Sequence, residues 1–465
     1  MKIDVKVKNL GKIKEAEFKI RPMTVITGSN GTGKSFFTKS LYSILNVINK
    51  NVYHDAISKT IRQLQLQMSN FTSMISNLSE IDDDFFKKIE SNLKKLQSDV
   101  NEAREWKIYA FLAFTQPILN DVKEIQDCYS LYCSDLKNKP TAVKSIIEVS
   151  NAINKTFNEL IYQLESASYN HAVLIQEHIE NELKDNFQIS DVNELVSFGE
   201  ITTEILIGND LLQIDFNNEK FFKLQLAFKF IDEINSLSSV VFFESPAYWK
   251  VRDALNMAKE KTASLLSSSQ NSEDFLTGVP KYFYDLDNRL KIKPKTSGNF
   301  EEIADSLEKI LGGEFIFKGD NLTFKDKETG REISKHLVSF GMTNLGMVHA
   351  LLKQNIITEG SFVFIDEPET NLHPDWQLIL VNALLALAEK GVNIVITTHS
   401  TDILKSLEVG VKKRKIDNIN EFLSVHFVDL DGGLLNFESN NSLQQLIEAR
   451  SELNSTYEQL YFSDL

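Results

Sequence analysis

Two stretches, one near each end of the chain, carry residues spaced for phosphate chemistry. The first is Gly28-Ser29-Asn30-Gly31-Thr32-Gly33-Lys34-Ser35, which matches G-x-x-x-x-G-K-[ST]. Glycines at this spacing let the backbone wrap a phosphate so that successive N–H groups point inward. Lys34 would reach the β- and γ-phosphates, and the Ser35 hydroxyl would ligate Mg²⁺. The second is Ser361 to Pro374, SFVFIDEPETNLHP, where four apolar residues run into two adjacent carboxylates. In front of a phosphate-bound Mg²⁺, Asp366 would hold the metal and Glu367 would orient and activate a water. His399, in Thr398-His399-Ser400, could hydrogen-bond a γ-phosphate or the attacking water. Ser339 and Gly341 form a Ser-x-Gly turn, which at a helix N-terminus makes an anion site.

Such residues act only if the elements around them bring them to one place. Met23 to Thr27 reads as a short strand running straight into the glycine loop. Phe37, Leu41, Ile44, Leu45 and Ile48 then recur at helical spacing, giving the strand–loop–helix context that a phosphate loop requires. Phe362 to Ile365 reads as a strand buried on both faces, which puts Asp366 and Glu367 at the carboxyl edge of a parallel sheet. Trp376 to Glu389 is an amphipathic helix, and Val392 to Thr397 a second buried strand that delivers His399 to the same edge. The helix after Ser339 carries Leu345, Val348, Leu351 and Leu352 on one stripe.

The chain has 465 residues, 42% hydrophobic and 25% charged, enough for two or three domains and a sizeable core. No apolar run is long enough to span a bilayer, and the alternating N-terminus does not resemble a signal peptide. Cys128 and Cys133 suit a reduced, cytoplasmic setting. A net charge of -15 argues against a non-specific nucleic-acid binder. Locally, seven basic residues face three acids over the first 21 positions, on and around strands Ile3 to Leu10 and Ala16 to Ile20. That face is either solvated or turned toward nucleic acid. The same two readings hold for Lys412-Lys413-Arg414-Lys415, taken as a loop.

From about Asn51 to Gly199 the pattern is helical, with breaks at Asp82-Asp83-Asp84, Pro117 and Pro140. Between Asn51 and Gln270, 21 Lys and Arg stand against 32 Asp and Glu, an acidic balance better suited to holding protein than DNA. Hairpins are expected at Ile201 to Phe216 and Glu314 to Lys325, a strand at Val240 to Phe243 and a mobile Ser-rich loop at Ser264 to Ser272. The expected organisation is an N-terminal lobe at 1–50, a helical or coiled-coil insertion at 51–200, a hairpin and connecting segment at 201–300, and a C-terminal lobe at 301–465.

The phosphate loop, Ser-x-Gly turn, Ile365-Asp366-Glu367-Pro368-Glu369 with Leu372-His373-Pro374, and Thr397-Thr398-His399-Ser400, in this order, resemble the ABC-type ATPases of the SMC/RecF/RecN/OLD group. They are similar in particular to bacterial AAA family ATPases that include ATPase subunits of antiphage defence systems such as PARIS AriA and Septu PtuA. The resemblance covers about Met1 to Lys50 and Glu301 to Leu407. It implies an α/β P-loop ABC-type ATPase head, a mixed sheet flanked by helices with a mainly helical insertion, that hydrolyses ATP with Mg²⁺. Carried over by motif, Asn30, Gly31, Thr32, Gly33, Lys34, Ser35 and Phe36 contact nucleotide, and Ser35 and Asp366 hold Mg²⁺. Glu367 polarises the water, His399 senses the γ-phosphate, and Ser339 and Gly341 contact ATP held by a second protomer.

Phe340 and Met342 depart from the usual signature turn, and the glutamine that links metal to lobe motion has no clear place; Gln63, Gln65 and Gln67 are the candidates. The nuclease members carry a Toprim domain after the histidine, for which the stretch from His399 to Leu465 is too short; Asp429-Leu430-Asp431 is expected to cap a strand. The implied function is an oligomeric ATP-dependent switch, a dimer or dimer-based assembly, holding a separate effector such as a nuclease in antiphage defence. The alternative is a RecF-like repair ATPase that binds DNA. Neither involves a membrane.

Overall fold

The structure is a computed structural model and describes residues 2–75, 82–137, 144–208, 211–217, 222–244, 246–266, 278–292, 300–318 and 321–463. The chain divides into two compact units, one of residues 1–49 and 179–465 and one of residues 50–178.

The first unit opens with β1 (Ile3–Leu10), β2 (Ile13–Ile20), β3 (Met23–Thr27) and α1 (Lys34–Asn49). The second unit holds α2 (Val52–Ile75), α3 (Asp82–Glu102), α4 (Ile108–Lys137) and α5 (Lys144–Glu165), and α6 (Ala167–Phe187) leads back to the first. The first unit then resumes with β4 (Thr202–Ile207), β5 (Leu212–Asn217), β6 (Phe222–Leu226), α7 (Phe228–Asn235), β7 (Val240–Phe243) and α8 (Ala247–Leu266). Next come α9 (Lys281–Leu290), α10 (Glu301–Leu311), β8 (Gly313–Lys318), β9 (Asn321–Asp326) and β10 (Glu332–Ser334). The chain ends with α11 (Phe340–Lys353), β11 (Phe362–Asp366), α12 (Pro374–Glu389), β12 (Asn393–Thr398), α13 (Thr401–Arg414), α14 (Ile419–Phe422), β13 (Leu423–Phe427) and α15 (Ser442–Ser463).

The centre of the first unit is a sheet of order β13-β3-β12-β11-β7. All its pairings are parallel, and its strands are buried along their length, as expected of a parallel sheet covered on both faces. Register fixes the edge: Asp366 pairs with Thr397, Thr397 with Ile26, and Ile365 with Phe243. The ends of β3, β7, β11 and β12 therefore lie level. A second, antiparallel sheet runs β2-β1-β4-β5-β6, alternating buried and open positions, and a third runs β10-β9-β8. The α/β P-loop head with a mainly helical insertion expected from the sequence is what the chain forms.

The helical unit is held by an aromatic spine. Phe71 of α2 meets Phe86 of α3 and Tyr129 of α4 at ring-centroid distances of 5.8 and 5.7 Å, and Tyr129 meets Phe157 of α5 at 5.9 Å. Aromatic pairs add about 0.5–1.5 kcal/mol each beyond the area they bury.

Several local expectations change. α3 starts at Asp82, and residues 76–81 between it and α2 lie outside the described residues. Pro117 lies inside α4, where burial of Ile118 and Val122 on the same helix outweighs a lost backbone hydrogen bond. Lys412 to Arg414 form the last turn of α13 rather than a loop, with cations placed against the helix dipole. Residues 201–300 contain the expected hairpin as β4 and β5, and supply three strands to the antiparallel sheet and β7 to the parallel one. Pro140 and residues 267–272 of the Ser-rich stretch lie outside the described residues.

The basic N-terminal face is of mixed sign. Lys6 stands opposite Glu17, Lys8 opposite Glu15 on one side and Glu204 on the other, and Lys19 opposite Asp4. Asp429 and Asp431 shape a turn after β13: the Asp431 carboxylate accepts from Gly433 N at 2.8 Å.

Candidate functional site

The phosphate loop bridges β3 and α1. Its first glycine, Gly28, has φ 134°, and a Cβ there would meet the Val428 carbonyl oxygen at 2.2 Å, so no other residue fits. Thr32 Oγ1 closes the loop by donating to Ser29 O at 3.0 Å. Lys34 Nζ folds over it, donating to Gly28 O at 2.9 Å and Ser29 O at 2.7 Å. Burial lowers the pKa of this ammonium, while Glu367, Asp366 and Glu369 act against that. α1 has no acid in its first turn, so its positive end stays open to an anion. Asn30 and Gly31 are exposed at the tip of the loop. The Phe36 ring does not point into the loop; it packs on Gly11 and lies 5.2 Å from the Phe187 ring, leaving its backbone for any nucleotide contact.

Asp366 ends β11 inside hydrogen-bonding reach of this loop. Ser35 Oγ donates to its Oδ1 at 3.0 Å, and Thr397 Oγ1 donates to the same oxygen. Burial raises the Asp366 carboxyl, the two hydroxyls counter that, and Glu244 adds to the rise. Two hard oxygen donors side by side, one an under-compensated buried carboxylate, fit a divalent cation. Among the described residues no group of three His, Cys, Asp or Glu could hold a metal alone, so phosphate and water would fill its remaining positions.

Glu367 follows with φ 50°, a left-handed conformation uncommon outside glycine, held by its N–H donating to Thr397 O at 3.1 Å. Its carboxylate Oε1 lies 3.5 Å from His399 Nδ1. His399 is brought there by β12, whose following Ser400 caps α13 through Ile403 N at 3.2 Å. Lys34, Ser35, Asp366, Glu367 and His399 thus come together at one sheet edge.

Among the described residues, Ser339 and Gly341 make no hydrogen bond to this group. The Ser339 hydroxyl caps α11, accepting from Met342 N at 3.1 Å. Gly341 packs against the loop after the carboxylates, where a Cβ would meet Asn371 O at 2.7 Å. Asn344 of α11 reinforces this, its Nδ2 donating to Pro368 O and Thr370 O at 3.1 and 3.2 Å. His373, of the Leu-His-Pro run, is the cap of α12, accepting from Asp375 N at 3.3 Å.

Three neighbours of the site carry no role in the motif reading, although Thr397 and Glu369 lie inside the motifs. Thr397 holds Asp366. Glu244, just past β7, contacts Lys39 at 3.0 Å and accepts from Tyr282 Oη. Glu369 accepts from His399 N at 3.0 Å. Glu244 was legible as an acid ending an apolar strand, the same signal as Asp366. Gln63, Gln65 and Gln67 all sit on α2 of the helical unit, where Gln65 Nε2 donates to Leu93 O at 2.9 Å.

No helix among the described residues is long and apolar enough to cross a membrane. No curated protein matches the chain. Among solved structures, the chain is similar to the SMC head domain from Thermotoga maritima at 10% identity, covering 94% of this chain and 100% of that one, with a TM-score of 0.35. It is also similar to an Smc head domain with an extended coiled coil bound to the C-terminal domain of ScpA derived from Pyrococcus furiosus: 11% identity, 97% and 98% covered, TM-score 0.39. A third is an ATP-binding cassette of an ABC transporter in its ADP conformation, at 10% identity, 97% and 98% covered, TM-score 0.32. The model of the AAA ATPase domain family matches residues 1–404, from β1 through the phosphate loop, the carboxylates and His399 into α13. The chain belongs to the AAA ATPase domain family.

Proposed function

We propose that the chain binds Mg²⁺-ATP, hydrolyses it to ADP and phosphate, and works as an ABC-type oligomeric switch. The observation that carries this reading is the Ser35–Asp366 hydrogen bond, which joins the phosphate loop to the carboxylate strand at 3.0 Å. In this reading Asn30, Gly31, Thr32, Gly33, Lys34, Ser35 and Phe36 hold the nucleotide, largely through backbone N–H groups. Ser35 and Asp366 hold Mg²⁺, which when bound would offset charge on the phosphate oxygens. Glu367 takes the proton of the attacking water, and His399 meets the γ-phosphate end.

Ser339 sits on an exposed turn, consistent with a role in a neighbouring copy's pocket. Two copies closing on ATP would hold a separate effector, such as a nuclease, and release it on hydrolysis; the acidic helical insertion is the surface offered to that partner. An antiphage setting, of the kind served by PARIS AriA or Septu PtuA, rests on the order of the motifs.

The test is nucleotide affinity and turnover of the purified protein, with native mass measured with and without ATP. ATP binding, slow Mg²⁺-dependent release of phosphate and an ATP-dependent rise in mass are expected. A chain that binds ATP but keeps one mass throughout would sink the switch and leave the ATPase standing.

A further inference from the structure

Glu369 is the third acid of the run after β11, and the reaction as described leaves it unused. Its side chain is only 9% exposed. One oxygen, Oε1, is bound on the corner that ends β12: it accepts from Thr398 Oγ1 at 2.9 Å and from His399 N at 3.0 Å. The same oxygen lies 3.6 Å from His399 Nδ1, the nitrogen that Glu367 Oε1 approaches to 3.5 Å from the other carboxylate. Both acids therefore stand on one side of the imidazole, and Nε2 is the nitrogen left for substrate. The second oxygen, Oε2, is buried with no hydrogen-bond donor among the described residues. A buried acid oxygen left without a donor costs stability. Costs of this kind collect where geometry serves a reaction.

We propose that Glu369 is a positioning residue for hydrolysis: it fixes the Thr398–His399 corner so that the His399 ring stays against Glu367. The proposal rests on the role given to His399 above. Glu369 touches no reacting atom in this scheme; it acts through the histidine.

The experiment compares Glu369→Asp, Glu369→Ala and Glu369→Gln with His399→Ala, reading turnover and the affinity of a non-hydrolysable ATP analogue. Withdrawing the acceptor (Asp, Ala) is expected to lower kcat about 10²-fold while KM and analogue affinity stay within about threefold, as a displaced catalytic group does. Gln keeps an oxygen that accepts both hydrogen bonds and is expected to retain kcat within about threefold. The Glu369→Ala/His399→Ala pair is expected to lose no more than His399→Ala alone, because the two act as a unit. Full turnover in Glu369→Asp, a Gln variant as slow as Ala, or additive losses would each overturn the proposal. Should Ala not fold, Asp against Gln still decides. Wild-type turnover in His399→Ala overturns the histidine's role and this proposal together, whereas a slow His399→Ala beside a fast Glu369→Asp removes only the latter.

Discussion

Ser35 Oγ donates to Asp366 Oδ1 at 3.0 Å although 331 positions of sequence separate them. The distance is set by register rather than by either residue alone. β12 lies between β3 and β11, and its pairings hold Thr397 level with both Ile26 and Asp366. The loop that leaves β3 and the acid that ends β11 consequently share one edge.

Thr397 should prove to be a metal-affinity residue. Its hydroxyl donates to the Asp366 oxygen that also faces Ser35. Thr397→Val is expected to raise the Mg²⁺ concentration for half-maximal turnover about 10–100-fold, as loss of an outer-shell partner does. Mg²⁺ titration of ATP turnover reads it, with EDTA abolishing activity in both proteins.

Glu367 and Lys34 should separate chemistry from binding. Glu367→Gln is expected to hold ATP and lose about 10²–10⁴ in turnover, whereas Lys34→Ala loses nucleotide binding itself. Equilibrium binding beside single-turnover hydrolysis distinguishes them; equal turnover in Glu367→Gln would mean another group takes the proton.

Gly341→Ala should loosen the Ser-x-Gly turn. The added methyl would lie 2.7 Å from Asn371 O, so the turn and the loop after the carboxylates must part, at about 1–3 kcal/mol of overpacking strain. The expected result is a lower melting temperature and a loss of ATP-dependent mass increase, with ATP still bound by the single chain.

Acid should destabilise the fold before carboxylates titrate fully. Burial pushes His426 down to about 4, and His171 in the helical unit likewise to about 4, against an ordinary value of 6.5. With the folded value below the unfolded one, the unfolded chain takes up the proton first. Stability is complete above pH 6.5, falls as pH drops toward 4, and levels off below that. Each histidine contributes on the order of 3 kcal/mol over that window. Denaturant midpoints measured from pH 7.5 to 4 check it, and His426→Gln should flatten the slope by one proton's worth.

The buried ion pair Arg252–Asp287 should be costly to break from one side. The two side chains are 0% and 1% exposed, and Asn256 Nδ2 adds a hydrogen bond to Asp287 at 3.2 Å. Asp287→Ala leaves a guanidinium in the core and is expected to cost about 3–5 kcal/mol in unfolding experiments.

Much of the edge that forms the site was legible because its strands are buried on both faces. Continuous apolar runs such as Phe362 to Ile365 announce themselves, and the residues after them must lie at an edge. The loop after β3 carried a motif as well. Glu244 and Glu369 were visible as letters but not as neighbours, because strand order, which no local pattern encodes, decides what stands beside Asp366 and His399. At Pro117 the opposite holds: the local preference against helix gives way to burial along α4.

The strand order has a consequence for the protein's birth on the ribosome. β3 is buried at every position and finishes between β12 and β13, both made at least 366 residues later. At roughly 5–20 residues per second, a strand with two open hydrogen-bonding edges waits roughly 18–75 s for its companions. Throughout that interval the nascent chain displays a sticky, half-built cradle. Until those strands are made, the unpaired edges of β3 are exposed to aggregation, which chaperone binding would counter.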